Sequence, residues 1–561
     1  MQKIFLVVIA FLLSLNIFAQ NFKCDYFKFK INDKSELTKI SQLISIDNVK
    51  DSIVYAYATP DEFSSFKKLG YEVIFIKSRL KPYNMATTVA EMSNWDKYPT
   101  YEVYRKLMKN FELNYPLICK LDSIGTTQNN RKLYVLKISD NIDNEENEPE
   151  VFYTSTMHGD ETAGFIIMLR LIDSLLVSYN NDTYITNLIN NTEIYINPNA
   201  NPDGTYYGGN HTVANAIRYN GFTDLNRDFP DPRIGANTPY QLETQAMMTF
   251  AYNHNFVLAA NFHGGTEVIN YPWDTWTGNQ YDYHPHPDSE WFKYISSQYV
   301  QTARQVNPSY MTALYNEGIT NGGDWYIITG GRQDYMNYWH HCREITIELS
   351  VEKKLNTNQF ENYWNYNKHS LLNLINESLY GIRGIVKDKN SNPIKACIKI
   401  LNHDIASDSS MVFTDPDVGN YHRLIKAGTY SIVALAPGFI SDTIENVVVN
   451  DGNIQIVDFT LDNSIVDRNT SYWNEYINFK IYPNPFTEFI NIECNTNQKL
   501  YVEIFNLSGR KIFSKEYNAG KNLENRFNIK SSDLDNLPNG LYVIQLKSGN
   551  KTISKVISKN E

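Results

Sequence analysis

Residues 150–178 read EVFYTSTMHGDETAGFIIMLRLIDSLLVS, and this stretch decides the fold. Glu150–Thr156 has the composition of a strand, Gly164–Ser178 is an apolar-rich helix beginning near Thr162, and only His158-Gly159-Asp160-Glu161 separates them. A strand running through a short turn into a helix is the repeating step of an α/β sheet domain. Outward from it, Leu133–Ile138, Glu193–Ile196 and Phe256–Phe262 read as further strands, and Glu243–Tyr252 as a second helix. Arg343–Ser350 (REITIELS) closes the pattern. Ile345, Ile347 and Leu349 share one strand face, and Glu344, Thr346 and Glu348 the other. The expectation is an α/β domain with a mixed central sheet over residues 91–380.

The flanks differ in character. Residues 22–31 and 51–58 read as strands, Ser35–Ile46 and Asp61–Leu69 as helices, and Tyr71–Lys77 as a strand. This is a small α+β domain over residues 20–90, a candidate prodomain, with the polar stretch Lys81–Glu91 as its cleavable linker. After Tyr380 the helical signals vanish. Gly384–Lys387, Ala396–Leu401, Gly428–Ala434 and Ile454–Leu461 are short strands between turns, which predicts a β-sandwich over 381–462. A linker, 463–477, leads to a second β-sandwich module over 478–561.

Composition bounds the function. The chain has 561 residues, with 51 Lys plus Arg against 62 Asp plus Glu, a net charge of −11. That balance argues against nucleic acid as a partner. A hydrophobic content of 42%, with 40 Tyr and 28 Phe, argues against wholesale disorder. Lys3 followed by the apolar run Ile4–Leu13 predicts a signal peptide over residues 1–19, an N-terminal anchor being the other reading. No later run of apolar residues is long enough to span a bilayer, so no transmembrane segment is expected in the mature chain. The five cysteines are scattered, odd in number and without CxxC spacing, which suits neither a disulfide framework nor a cysteine metal site.

His158 and Glu161 stand three positions apart at a strand-to-helix turn, where an imidazole and a carboxylate can converge on one cation. Taken alone, the spacing also suits a surface His beside a carboxylate that stabilises a helix N-terminus. His263 ends the apolar run Phe256–Phe262 and precedes Gly264-Gly265, two glycines that would let a substrate approach the backbone. It completes a His2Glu set of the kind that holds catalytic zinc.

HGDE (158–161), NPNANPDG (197–204), DLNRDFPD (224–231), NFHGG (261–265) and GGRQDY…EITIELS (330–350), in this order, resemble the zinc carboxypeptidases. The likeness is closer to their regulatory branch, which removes C-terminal basic residues. It covers about Trp95–Tyr380 and implies a mixed eight-stranded sheet with zinc at its C-terminal edge. By that resemblance His158, Glu161 and His263 bind one Zn²⁺ per chain, and Glu348 is the general base and acid. Asn226 and Arg227 hold the substrate's terminal carboxylate, Arg218 polarises the carbonyl, and Tyr326 closes over the substrate. Asp224 supports a zinc-bound histidine. Asp274 and Gln333 line the side-chain pocket and imply a preference for C-terminal Arg or Lys. Glu344 matches no catalytic position.

GIRGIVKDKNSNPIKACIKI (381–400) and AGTYSIVALAPGF (427–439) resemble the transthyretin-like domain that follows the catalytic domain in that branch. IYPNPF (481–486), IFNLSGR (504–510) and LPNGLYVIQL (537–546) resemble the C-terminal sorting domain of type IX secretion. They imply the type IX machinery as a partner, and passage through the periplasm and outer membrane to the cell surface or medium. The competing functional readings are a catalytically silent peptide- or glycan-binding surface protein on the same fold, and a zinc hydrolase with another substrate, such as an endopeptidase or a cell-wall amidase.

Overall fold

A computed structural model of the chain describes residues 24–76, 82–235, 239–275, 284–463 and most of 479–559. The expected signal peptide (1–19) and nearly all of the 463–477 linker lie outside the described residues.

The first unit is a four-stranded antiparallel sheet of β1 (Asp25–Lys30), β2 (Ser45–Lys50), β3 (Ile53–Ala58) and β4 (Ile74–Phe75), in the order β2-β3-β1-β4. Helices Leu37–Ser41 and Pro60–Lys67 pack on it, the second started by a Thr59–Glu62 capping box. Here the structure departs from the sequence expectation, which ran one helix to Ile46. Ile40 and Ile44 are four apart and suit a helix, whereas Ile44 and Ile46 are two apart and suit a strand. Pairing decides it: Asp51 and Ser52, with φ of 50° and 62°, make a two-residue hairpin that lays Ser45–Lys50 along β3. The unit's apolar core also takes in Val268, Trp325, Tyr326 and Ile328 from the next domain.

The stretch read as a polar linker around Lys81–Glu91 is part of the second domain from residue 82 onward. There β5 (Met85–Ala86) pairs with β6 (Tyr98–Pro99), and Ala86, Met92 and Tyr98 are buried in the main core. The central sheet has eight strands: β7 (Cys119–Thr126), β8 (Lys132–Ile138), β9 (Glu150–Ser155), β10 (Glu193–Asn197), β11 (Phe256–His263), β12 (Glu267–Tyr271), β13 (Ile319–Asn321) and β14 (Arg343–Leu349). Their order is β13-β12-β14-β11-β9-β10-β8-β7. The inner strands β14, β11, β9 and β10 are parallel to one another, while β8 runs against β10 and β7, and β12 runs against β14, so the sheet is mixed. Helices such as Tyr101–Asn114, Ala163–Ser178, Ser289–Val306 and Phe360–Glu377 bury apolar faces in the same core. Helices cover these parallel strands on both faces, which is why all of β9, β10 and β14 is buried, polar residues such as Arg343, Glu344 and Glu348 included.

Residues 381–461 form two four-stranded sheets around one core that includes Ile382, Val386, Ile398, Ile432 and Phe459. They are locked to the α/β domain by a buried ion cluster. Asp288 receives Arg423 through two bonds of 2.9 Å, Arg343 at 2.7 Å and His403 at 2.7 Å. The last module has a three-stranded and a four-stranded sheet around Ile490, Val502 and Ile544. Among the described residues no single helix is long and apolar enough to cross a membrane. Among the described residues the five cysteines form no disulfide, and four of them are buried.

Candidate metal centre and cleft

β9 ends at Ser155, and the HGDE turn then crosses the carboxyl end of the sheet. The turn must lie close against a neighbouring segment, since a Cβ on Gly159 would come within 2.4 Å of the Gly204 backbone. Glycine is the residue that permits such an approach. His263 is the last residue of β11, the strand next to β9. Topology thus brings together side chains about a hundred positions apart.

His158 Nδ1 lies 3.0 Å from Glu161 Oε1, His263 Nδ1 lies 2.8 Å from Glu161 Oε2, and the two Nδ1 atoms are 3.0 Å apart. All three residues are buried, so the surface reading of His158 does not hold. The other ring nitrogens are occupied: His158 Nε2 faces Asp224 Oδ1 and His263 Nε2 faces the Asn261 amide, each at 2.9 Å. Second contacts of this kind orient imidazoles for a metal. Burial pushes the His263 ring down to about 4, keeping it neutral, the form that binds metal. Two imidazoles and a carboxylate converging on one point fit zinc, whose tetrahedral sites have bonds of ~2.0–2.1 Å and, when catalytic, a fourth open position.

Glu348 is the register partner of His263 in the neighbouring parallel strand β14. Its Oε2 is buried without a hydrogen-bond partner. Burial, reinforced by the Glu161 charge, pushes its carboxyl well above the usual range. Glu344, four residues earlier, is spent in a buried ion pair with Arg332 at 3.0 Å.

Arg218 points at the same place. Its Nη1 donates to Glu161 Oε1 at 3.0 Å and its Nε to Asp224 Oδ2 at 3.1 Å. Asn226 lies beside Gly331, its Oδ1 accepting the Arg332 N–H at 2.9 Å, and Arg227 Nη1 donates to the Asn226 carbonyl at 2.9 Å. Asp274 Oδ1 accepts from Asn270 Nδ2 and Gln333 Nε2, both at 2.8 Å, leaving Gln333 Oε1 buried and unpartnered. Burial pushes the Asp274 carboxyl up to about 7 despite the opposing Arg227 charge. A Cβ at Gly322 would fall 1.8 Å from Asp274 Oδ1, so that position has no room for a side chain. Every site residue named from the sequence therefore lies in or beside one cleft.

Three participants are not among the residues named from the sequence, although Asp334 lies within the GGRQDY run. Asp334 accepts the backbone N–H groups of Asp274 and Thr275 at 3.0 and 2.8 Å, fixing the loop that carries Asp274. Lys353 donates to Glu161 Oε1 at 2.8 Å. The third is strand β2 of the N-terminal unit, which lies in the cleft. Asp47 Oδ1 accepts from Arg218 Nη1 at 2.9 Å and Lys353 Nζ at 2.6 Å, and the Ile46 carbonyl accepts from Arg227 Nη2 at 3.1 Å. Ser45 Oγ donates to Asp224 Oδ2 at 2.5 Å, and the Tyr326 hydroxyl to the Asp47 carbonyl at 3.3 Å. What remains of the cleft between Asp47, His158, Arg218, Tyr326 and Glu348 is about 10 Å³, hardly enough for one water.

Comparison with known proteins agrees with this architecture. Residues 104–370 match the zinc carboxypeptidase family, and residues 480–560 match the secretion system C-terminal sorting domain. Carboxypeptidase D of Homo sapiens is 35% identical over 386 residues, covering 66% of this chain and 27% of that protein, so the chain spans about a quarter of its relative. Carboxypeptidase M of Mus musculus is 35% identical over 361 residues, covering 61% and 79%. The Mus musculus carboxypeptidase N catalytic chain is 35% identical over 387 residues, covering 62% and 82%. Among solved structures, carboxypeptidase A from Helicoverpa armigera has the same fold, with a TM-score of 0.50 at 16% identity over 64% of this chain and 97% of that one. On the matched pattern, and on relatives spanned over most of their length, the chain belongs to the zinc carboxypeptidase family and ends in a secretion system C-terminal sorting domain.

Proposed function

We propose that this is an exported zinc carboxypeptidase that removes C-terminal Arg or Lys from peptides and proteins. The observation that carries the reading is the convergence of His158, Glu161 and His263 at the end of the sheet, with Glu348 as the strand neighbour of His263. His158, Glu161 and His263 would hold a zinc ion, which would supply Lewis acidity toward the carbonyl and the attacking water. Glu348 takes the proton of the attacking water and gives it to the departing amine as the C–N bond breaks. Arg218 donates to the oxyanion that develops on the carbonyl. Arg227, with Asn226, forms bidentate bonds to the substrate's terminal carboxylate, and Tyr326 closes over it. Asp274 and the free Oε1 of Gln333 face a guanidinium or ammonium and disfavour an acidic end.

The N-terminal unit acts as an inhibitory prodomain in this reading. β2 lies where a peptide would, and it engages Arg218, Arg227 and Tyr326, the side chains the substrate needs. Residues 381–461 are read as a transthyretin-like β-sandwich that docks through Asp288. The sorting domain supports export by the type IX machinery to the cell surface or medium. Zinc quantification, with a chelator-sensitive assay on peptides ending in Arg, Phe and Glu after removal of the N-terminal unit, tests the proposal. Cleavage of Phe ends at rates equal to Arg ends would overturn the basic preference, and a protein without bound zinc would overturn the mechanism.

A further inference from the structure

We infer that Lys353 is a positioning residue for the metal centre, holding the Glu161 carboxylate in the rotation that turns it to the His158 and His263 imidazoles. The inference rests on the zinc reading of His158, Glu161 and His263.

Lys353 follows β14 on the loop that begins at Ser350, and both of its ends are tied to the segment carrying Glu161. Its carbonyl accepts the Thr162 N–H at 2.9 Å, and its Nζ donates to Glu161 Oε1 at 2.8 Å. The opposite oxygen, Glu161 Oε2, faces His263 Nδ1 at 2.8 Å and the Gly264 N–H at 3.2 Å. The carboxylate is thus pinned in rotation, Oε1 held by the Lys353 and Arg218 cations beside His158 Nδ1 at 3.0 Å, and Oε2 turned to His263.

Gly265 makes room for this arrangement. Its φ is +125°, and a Cβ there would lie 3.2 Å from Lys353 Nζ and 3.4 Å from Cε. The second glycine of NFHGG therefore lies under the lysine stem, a role different from the substrate access its sequence suggests.

Arg218 also reaches Glu161 Oε1, at 3.0 Å, but its proposed work on the substrate carbonyl takes it away from that oxygen. Lys353 has no such second task in the open enzyme. Its remaining polar partner, Asp47 at 2.6 Å, belongs to the N-terminal unit and leaves with it. An ammonium on a ligand carboxylate fixes its orientation and leaves zinc affinity dependent on a residue that never touches the metal.

The test compares Lys353→Met, Lys353→Arg and Asp47→Asn in the full chain. Zinc affinity is read by competition with a chromophoric chelator, and melting temperature is measured with and without Zn²⁺. Lys353→Met is expected to weaken zinc binding by about 10–100-fold and to shrink the zinc-induced rise in melting temperature, beyond any fall in the metal-free melting temperature from the lost ion pairs. Lys353→Arg should restore most of the affinity, and Asp47→Asn should leave it unchanged. Wild-type affinity in Lys353→Met would overturn the inference, as would an equal loss in Asp47→Asn, since either result makes Lys353 an anchor for the N-terminal unit alone. A wild-type protein that binds no zinc would instead overturn the metal reading on which the inference stands.

Discussion

Asp47 and Arg218 form a buried ion pair of 2.9 Å between residues 171 positions apart, joining the N-terminal unit to the centre of the cleft. The pair puts a carboxylate of the chain itself beside the groups proposed to handle a substrate. Truncating one partner of a buried charge pair at an interface costs ~2–5 kcal/mol. Asp47→Ala should therefore raise the open population, and kcat/KM of the full chain with it, on the order of 30-fold or more. Steady-state assays of the full chain and of a protein lacking the N-terminal unit check this. Equal activity in all three proteins would rule out latency.

Glu348→Gln keeps the shape of its side chain and removes its basicity. Turnover should fall by ~10²–10⁴-fold while zinc content stays near one per chain, measured by single-substrate kinetics alongside elemental analysis.

Asp274 carries the predicted specificity. Asp274→Ala, in protein freed of the N-terminal unit, should lower kcat/KM for Arg-ending peptides by at least 10-fold and leave Phe-ending peptides less affected. The pH dependence has a defined sign. Burial pushes the Asp274 carboxyl up to about 7, so below that pH the empty pocket is neutral and loses its attraction for a cation. KM for Arg-ending peptides should rise as pH falls through about 7, and Asp274→Asn should abolish the difference between Arg and Phe profiles.

Asp288 tests the coupling of domains. Burial opposes its charge, but Arg423 and Arg343 outweigh burial and hold its carboxyl well below the usual range. A carboxyl depressed in the folded state contributes stability above the unfolded value and loses it as pH falls below that value. Asp288→Asn should destabilise the docked domains by ~3–5 kcal/mol, because it strands buried arginines. Calorimetry should show residues 381–461 melting separately from the α/β domain.

The cluster proposed to hold the metal was legible because its residues sit in short runs whose local order survives in sequence: His158 and Glu161 in one turn, His263 at a strand end. The mixed sheet followed from the same alternation. β2 was not legible. Ser45–Lys50 has a pattern compatible with the end of a helix, and only pairing with β3 and burial against Trp325, Tyr326 and Arg218 makes it a strand in a cleft. Contacts across such sequence distances leave no periodicity to read. Lys353 was missed for the same reason, since nothing local distinguishes it from Lys354.

Gly322 ties the proposed selectivity at Asp274 to a second position of the chain. A methyl at 322 and the Asp274 carboxylate would claim one volume, so a side chain at 322 would displace the acid from its present place. A search for forms with a side chain at 322 should vary the two positions together, since 322 cannot gain one while Asp274 keeps its place.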